Sequence, residues 1–325
     1  MDISKKTSQA LDFLKNQQKI LIVIALIVFM FVFGEIYKGN FFTVEQVLLT
    51  VKMAAIIALF GLAQMVVIAG GGGGLDLSVG YVATITAVFA AGIMNGKPEN
   101  LWLAILMAVA LGAAIGLVNG VLSAYVNLPP LVVTMAMASC VQGIINVYAA
   151  GSTITGKPAP VLVMIAAKST GFIPNIVFLL IIIAAITHFI ISRTKWGLKL
   201  FGVGTNEVAA YLSGIDVKTV RCVTFVISGA IAGMMGLVVL GNMGTAFKDM
   251  GSGYVMPSIA AVVVGGTPLS GGEGNYIGVI LGAVFIQTLT NLLVAIGGGD
   301  AVKWTSFGIV LFVLLISYAR QKRRI

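Results

Sequence analysis

The chain has 325 residues, 59% of them hydrophobic and 10% charged, and carries a net charge of +9. A soluble domain holds about 25% charged residues, so this composition excludes an ordinary soluble protein and describes one that crosses a membrane several times. The positive surplus then has its origin in membrane topology and gives no argument for nucleic acid.

Lys5, Lys6, Lys15 and Lys19 precede an apolar run over 20–33. That order resembles a signal peptide, but the following Gly34-Glu35-Ile36-Tyr37-Lys38 offers no small-x-small cleavage site, so an uncleaved first span is expected. Apolar segments able to cross a ~30 Å hydrocarbon layer recur near 17–34, 46–69, 75–94, 101–125, 130–149, 175–192, 222–241, 254–268, 275–296 and 302–318. Pro257 interrupts the eighth, and the apolar piece 161–167 is too short to cross. Ten crossings with both ends on one side sort the basic residues. One side takes the N-terminal lysines, Arg193, Lys195, Lys199, Lys218, Arg221, Arg320, Lys322, Arg323 and Arg324. The other takes Lys38, Lys97, Lys157, Lys168, Lys248 and Lys303, with no arginine. By the positive-inside rule the first side is cytoplasmic, and Lys52 snorkels near a span end. The chain therefore reads as one transmembrane domain, 1–325, with cytoplasmic segments at 1–19, 193–221 and 319–325.

Glycines cluster at 70–74, at Gly265-Gly266, around 271–274 and at 297–299. Such runs cannot stand as regular helix in lipid; they are buried in protein, line a wet cavity or lie at an interface. Asp76 follows the first run and is the only charge between Lys52 and Lys97. An intramembrane carboxylate is a functional-site candidate. The pattern Leu75-Asp76-Leu77-Ser78 equally reads as a helix start, with Asp76 or Ser78 as cap, and the cap is the favoured reading. Between Glu99 and Lys157 no charged residue occurs, while Asn119, Thr134, Ser139, Gln142 and Asn146 supply neutral hydrogen-bonding groups. Asp76, Ser78, Asn119, Thr134, Gln142 and Asn146 are thus the candidates for a polar pathway suited to an uncharged solute such as a sugar. The competing reading is that such groups only link helices. Gly112–Gly116–Gly120 and Gly229–Gly233 read as close helix packing. His188 stands alone, and Cys140 and Cys222 form no disulfide or metal pattern and read as buried thiols. No metal site and no cofactor is expected.

The polar stretch 193–221 is the other candidate site. Thr205 is placed to cap a short helix, with Glu207 in its first turn and Gly214 as its left-handed stop; Asp216 caps the next helix. A small polar helix at the cytoplasmic face of a membrane bundle is a part that receives motion from a soluble partner.

These residues resemble the permease subunit of bacterial ABC importers of the ribose/xylose/galactose class, over nearly the whole length. The resemblance rests on Leu75-Asp76-Leu77-Ser78-Val79-Gly80, on Leu128-Pro129-Pro130 followed by Val132-Val133-Thr134, on 202–216 ending in Ser213-Gly214-Ile215-Asp216, and on 227–233. The chain departs from the family pattern in the five glycines before Leu75 and in Gln142, where an arginine is usual. The resemblance implies an all-α membrane protein of ten transmembrane helices with the type II, cobalamin-importer-like permease fold. It implies a second permease, identical or paralogous, an ABC ATPase subunit, and an extracytoplasmic sugar-binding protein, in a bacterial inner membrane. Thr205, Asn206, Glu207, Ala209, Ala210, Ser213 and Gly214 become the coupling helix, with Glu207, Ala209 and Ala210 as its contact face. A nucleoside or a furanose-like signalling molecule is an alternative solute. The chain holds no P-loop, so ATP hydrolysis falls to another polypeptide. A stand-alone secondary transporter needs mid-membrane ion-coupling groups, for which only Asp76 is available. A membrane enzyme lacks any nucleophile–base pairing.

Overall fold

The computed structural model describes residues 3–150 and 156–322, with side chains described for 20–149, 156–310 and 312. The basic termini at 1–19 and 319–325 lie outside the residues whose side chains are described. Helices dominate: α1 Ile3–Lys38, α2 Val44–Ala69, α3 Val79–Met94, α4 Leu101–Ala124, α5 Pro130–Ala150, α6 Pro160–Ala166 and α7 Asn175–Arg193. Then follow α8 Lys195–Thr205, α9 Glu207–Leu212, α10 Val217–Met243, α11 Val255–Val264, α12 Tyr276–Ala295 and α13 Asp300–Lys322. A two-residue hairpin, Ser169–Thr170 with Ile173–Pro174, joins α6 to α7. A helix falls at least partly within each of the ten apolar segments read from the sequence. Among the described residues seven are long and apolar enough to cross a membrane: 20–38, 44–69, 98–124, 130–149, 175–193, 217–243 and 276–295.

α2 is the buried axis of the bundle, with an almost unbroken inner run from Ala54 to Ala69. Its start is set by Thr43, whose hydroxyl accepts from the Gln46 N–H at 3.2 Å. The small-residue pairs do what their spacing predicts. A Cβ on Gly112 would enter the Gly229 carbonyl, one on Gly116 the Phe225 carbonyl, and one on Gly233 the Ala108 carbonyl. α4 and α10 therefore run backbone against backbone, the contact that small side chains make available without lipid-excluded bulk.

The bundle has two distinct ends. At one, Tyr125 of the α4–α5 turn meets Thr219 of α10 (2.9 Å), and Gly272 N–H reaches the last carbonyl of α2, Ala69 (3.0 Å). At the other, Gly96 after α3 bonds to Lys157 O (2.9 Å), Lys38 Nζ to Ala295 O (3.1 Å) and Lys52 Nζ to Ala167 O (3.1 Å). Lys52 thus ends on a protein carbonyl within the bundle. α6 packs beside the end of α10, where a Cβ on Gly241 would strike Leu162.

Two expectations need correction. Cys140 is exposed on α5, so only Cys222 is a buried thiol. The eighth crossing is not a helix over 254–268. After α10 stops at Gly244, left-handed with φ +75°, the chain descends without α-helix to a single 3-10 turn at Ser252–Tyr254. There Gly251 N–H donates to Thr84 Oγ1 (3.0 Å), and Tyr254 stacks on Phe60 in the middle of α2 (centroids 5.0 Å apart). α11 begins only at that depth and is 10 residues long, about 15 Å, half a hydrocarbon layer. Pro257 sits in its first turn, where a missing N–H costs nothing.

Candidate functional site: the elbow and the polar interior

The segment between α7 and α10 folds into a compact elbow. Thr194 caps α8 through its hydroxyl, which accepts from Gly197 N–H. α9 is capped by Asn206, not Thr205: Asn206 Oδ1 accepts from Ala209 N–H at 3.0 Å. Thr205 is the last residue of α8, and its hydroxyl donates to Phe201 O (2.8 Å) and reaches Gly272 O (3.3 Å). α8 runs through Thr205, which leaves the adjacent Asn206, also a good capping residue type, at the cap position of α9. Gly214 takes φ +79° and stops α9, with Ser213 donating back to Ala209 O (2.8 Å). Asp216 caps α10 as expected. Thr219 donates to it through its hydroxyl (2.5 Å) and N–H (3.2 Å), and these bonds hold the Asp216 carboxyl below the usual carboxylate range.

Of the expected contact residues, Glu207 and Ala209 are exposed and Ala210 is not. Ala210 is buried with Val203, Val217 and Val220, so it anchors the elbow. Glu207 pairs with Arg221 of α10 at 2.8 Å while its side chain stays 55% exposed. The residues that do point outward are Val208, Tyr211 and Leu212, 66%, 70% and 79% exposed, beside exposed Ala209. Val208, Tyr211 and Leu212, spaced i, i+3 and i+4, put three large apolar side chains on one face of this short helix, a pattern present in the sequence. Behind them lies a cavity of about 390 Å³, bounded by Ser123, Asn127, Glu207, Tyr211 and Arg221.

The elbow is wedged against the glycine run. Gly71, Gly72 and Gly73 all have left-handed backbones (φ +72°, +65° and +71°). A Cβ on Gly71 would lie 2.9 Å from Gly204 Cα, one on Gly72 would lie 2.7 Å from the Arg221 guanidinium carbon, and one on Gly271 would meet Gly71. The run is thus a close junction of three backbones at the elbow end, not an interruption at mid-depth.

From that junction the chain turns back into the bundle at Asp76, which is 1% exposed. Its Oδ1 accepts from Ser78 N–H (3.0 Å) and Ser78 Oγ (2.5 Å), and its Oδ2 from Ser228 Oγ of α10 (2.8 Å). Gln64 of α2 clamps the Asp76 backbone from both sides, donating to its carbonyl (2.7 Å) and accepting from its N–H (3.3 Å). Asn119 of α4 donates to Ser78 Oγ (3.0 Å), and Thr134 of α5 to Leu75 O (3.1 Å). Four of the six expected pathway residues, Asp76, Ser78, Asn119 and Thr134, are thereby drawn into one buried knot that ties α2, α3, α4, α5 and α10. Ser78 precedes α3, but its hydroxyl donates to Asp76 instead of capping the helix. Gln64 and Ser228, missed in the sequence, are isolated polar residues within apolar runs. Gln142 and Asn146 lie apart, on the outer face of α5, 3.4 Å from each other. Gln142 Nε2 also donates to Asp249 Oδ1 at 3.1 Å. No cluster of metal-ligating side chains occurs among the described residues.

A bundle with seven apolar helices of membrane-spanning length among the described residues is consistent with an all-α membrane permease. Residues 46–318 match the family model described as the branched-chain amino acid transport system / permease component, and the chain belongs to that family. It is 31% identical to the ribose import permease protein RbsC of Escherichia coli (strain K12) over 278 residues, covering 85% of each chain. It is 29% identical to the fructose import permease protein FrcC of Rhizobium meliloti over 312 residues, covering 93% of this chain and 85% of the relative. It is also 29% identical to the autoinducer 2 import system permease protein LsrC of Shigella flexneri over 314 residues, covering 96% and 90%. No solved structure matches the chain significantly. The family places the chain among transport components and not among enzymes.

Proposed function

We propose that this chain is the membrane-spanning subunit of an ATP-driven importer of a monosaccharide. It crosses the membrane ten times as a single domain, with both termini and the elbow in the cytoplasm. Two copies, or this chain and a paralogue, enclose one pathway; an ABC ATPase docks on the elbow and an extracytoplasmic binding protein delivers the solute. The observation that carries the reading is the apolar face of α9, where Val208, Tyr211 and Leu212 stand exposed in a segment that also carries Lys195, Lys199, Glu207, Lys218 and Arg221. Exposed apolar side chains framed by polar ones mark a protein interface. The sorting of described basic residues supports the orientation: Arg193, Lys195, Lys199, Lys218 and Arg221 sit at or beside the elbow.

Motion delivered to α9 has a short route inward. Arg221, held by Glu207, lies against Gly72, and Gly204 lies against Gly71, so displacement of the elbow moves the backbone that leads into Asp76. The Asp76 knot in turn grips α2, α4 and α10. Packed backbones of this kind shift as rigid bodies and do not absorb motion as loose side chains do.

A sugar suits the interior better than an amino acid does. A zwitterion requires a fixed cation and a fixed anion side by side, whereas Asp76 is saturated by serine donors and has no basic neighbour among its hydrogen-bond partners. The names of the relatives favour a pentose or hexose, with a furanose-like signalling molecule as the second reading. The test is uptake of labelled ribose and fructose into vesicles holding the permease, its ATPase and its binding protein. ATP-dependent accumulation is expected, and it should vanish in Val208→Asp/Leu212→Asp while the permease pair stays intact. Unaltered uptake by that variant, or uptake without the ATPase, overturns the reading.

A further inference from the structure

The descending segment 244–254 places a carboxylate where none of the motifs pointed. Asp249 lies one turn before the 3-10 turn whose Gly251 touches Thr84, the sixth residue of α3, so it sits well inside the bundle's length. The same depth follows from α5. Asp249 is bonded to Gln142, eight residues or about 12 Å from the end of that helix. Yet Asp249 is exposed, as are its neighbour Lys248 and, on α5, Ser139 and Asn146. A charged side chain and irregular backbone at this depth are tolerated only beside protein or water, never against lipid. The face of α5 that carries Gln142 and Asn146, together with 244–254, is therefore turned to water or to a second subunit and not to lipid.

Its hydrogen bonds are half made. Asp249 Oδ1 takes one bond from Gln142, while Oδ2 has no partner among the described residues. Gln142 Oε1 is buried and accepts nothing. The exposed Asp249 Oδ2, beside the exposed Asn146 amide, forms an open polar station of the kind that hydroxyl groups fill, with Gln142 holding Asp249 in place through Oδ1. We propose that Asp249, with Gln142 and Asn146, is a solute-contacting station of the translocation path, and that it takes a neutral polyhydroxylated solute through two hydroxyl donors. This rests on the importer reading above and adds to it a specificity-determining residue. The irregular backbone is what makes the station possible: residues 248–251 form turns, which set the Asp249 side chain beside Gln142 without a regular helix over 244–254.

The experiment uses the complete importer in vesicles, comparing wild type with Asp249→Ala, Asp249→Asn and Asn146→Ala. Asp249→Ala should lower the maximal rate of ATP-driven sugar uptake at least tenfold, with unchanged ATPase docking on the elbow. Asp249→Asn, which keeps one acceptor, should lose less, and its loss should shrink for a deoxy analogue of the same sugar. A separate reading comes from Cys140→Ala/Asp249→Cys: a charged, membrane-impermeant thiol reagent should modify it, and bound sugar should slow the modification. Wild-type rates in Asp249→Ala, equal losses for sugar and deoxy sugar, or no modification of the cysteine would each overturn the station. Failure of the wild-type importer to take up any sugar would instead overturn the importer reading.

Discussion

Two polar regions of this chain solve opposite problems. Around Asp76 a carboxylate is fully withdrawn from solvent and answered by Ser78 and Ser228, with Gln64 and Asn119 closing the ring. Around Glu207 a carboxylate is half exposed, paired with a single arginine, and surrounded by apolar side chains that face outward. The first is a polar group made safe by burial and satisfaction, as a brace requires. The second leaves apolar surface unsatisfied, which calls for a partner. Polarity by itself distinguishes neither; what separates them is which groups have been left without company.

The seam that holds both regions gives the largest expected effect. Gly229→Val would drive two methyl groups into the Gly112 backbone, which has no rotamer to retreat into. The loss should exceed the usual ~1–3 kcal/mol of overpacking, read as failure to recover a monodisperse species in detergent. Next comes Asp76→Ala, which strands the Ser78 N–H and two hydroxyls in a dry site. A cost of about 2–4 kcal/mol is expected, visible as a lowered thermal midpoint, and Asp76→Asn should recover part of it. If Asp76→Ala unfolds as wild type does but stops transport, the knot is a path and not a brace.

At the elbow the comparison predicts the reverse pattern. Leu212→Asp should leave the thermal midpoint nearly unchanged, within about 0.5 kcal/mol, because Leu212 touches little of its own chain. Its effect should appear in pull-down of the ATPase and in coupled uptake. Glu207→Gln weakens an ion pair in which Glu207 itself is half exposed, so stability should fall by less than about 1 kcal/mol.

The sequence made the helices, the α4–α10 glycine seam, the Gly214 stop and the Asp216 cap legible because each depends on local rules: hydropathy length, small-residue spacing, and one residue per cap. Where two rules competed, the reading slipped. Thr205 and Asn206 are both good caps, and only the continued turn of α8 decides for Asn206. Ala210 and Ala209 are adjacent and alike, and only packing against Val203 sends one of them inward. The Asp76 knot needed tertiary partners on α2 and α10, which no spacing announces. The path of 244–254 was hardest to see, since its Gly, Lys, Asp and Ser residues read as an ordinary polar turn, while Gly251 in fact packs on Thr84 inside the bundle.

The smallest effect lies in the Asp216 cap, and its pH dependence separates a cap from a mere surface charge. Hydrogen bonds from Thr219 depress the Asp216 carboxyl in the folded state, so the unfolded chain binds its proton first as pH falls. The cap's contribution is therefore fully present above the unfolded value of about 3.9 and is lost as pH drops through the lower folded value. The difference in thermal midpoint between wild type and Asp216→Ala should stay constant from about pH 8 to about pH 5, then close in stronger acid. Asp216→Asn keeps the acceptor without the titration, so its offset from Asp216→Ala should persist through the same range. A gap between wild type and Asp216→Ala that survives well below the carboxylate range would mean that the elbow is held by Val217 and Val220 packing against Ala210, and that the cap only marks where the helix begins.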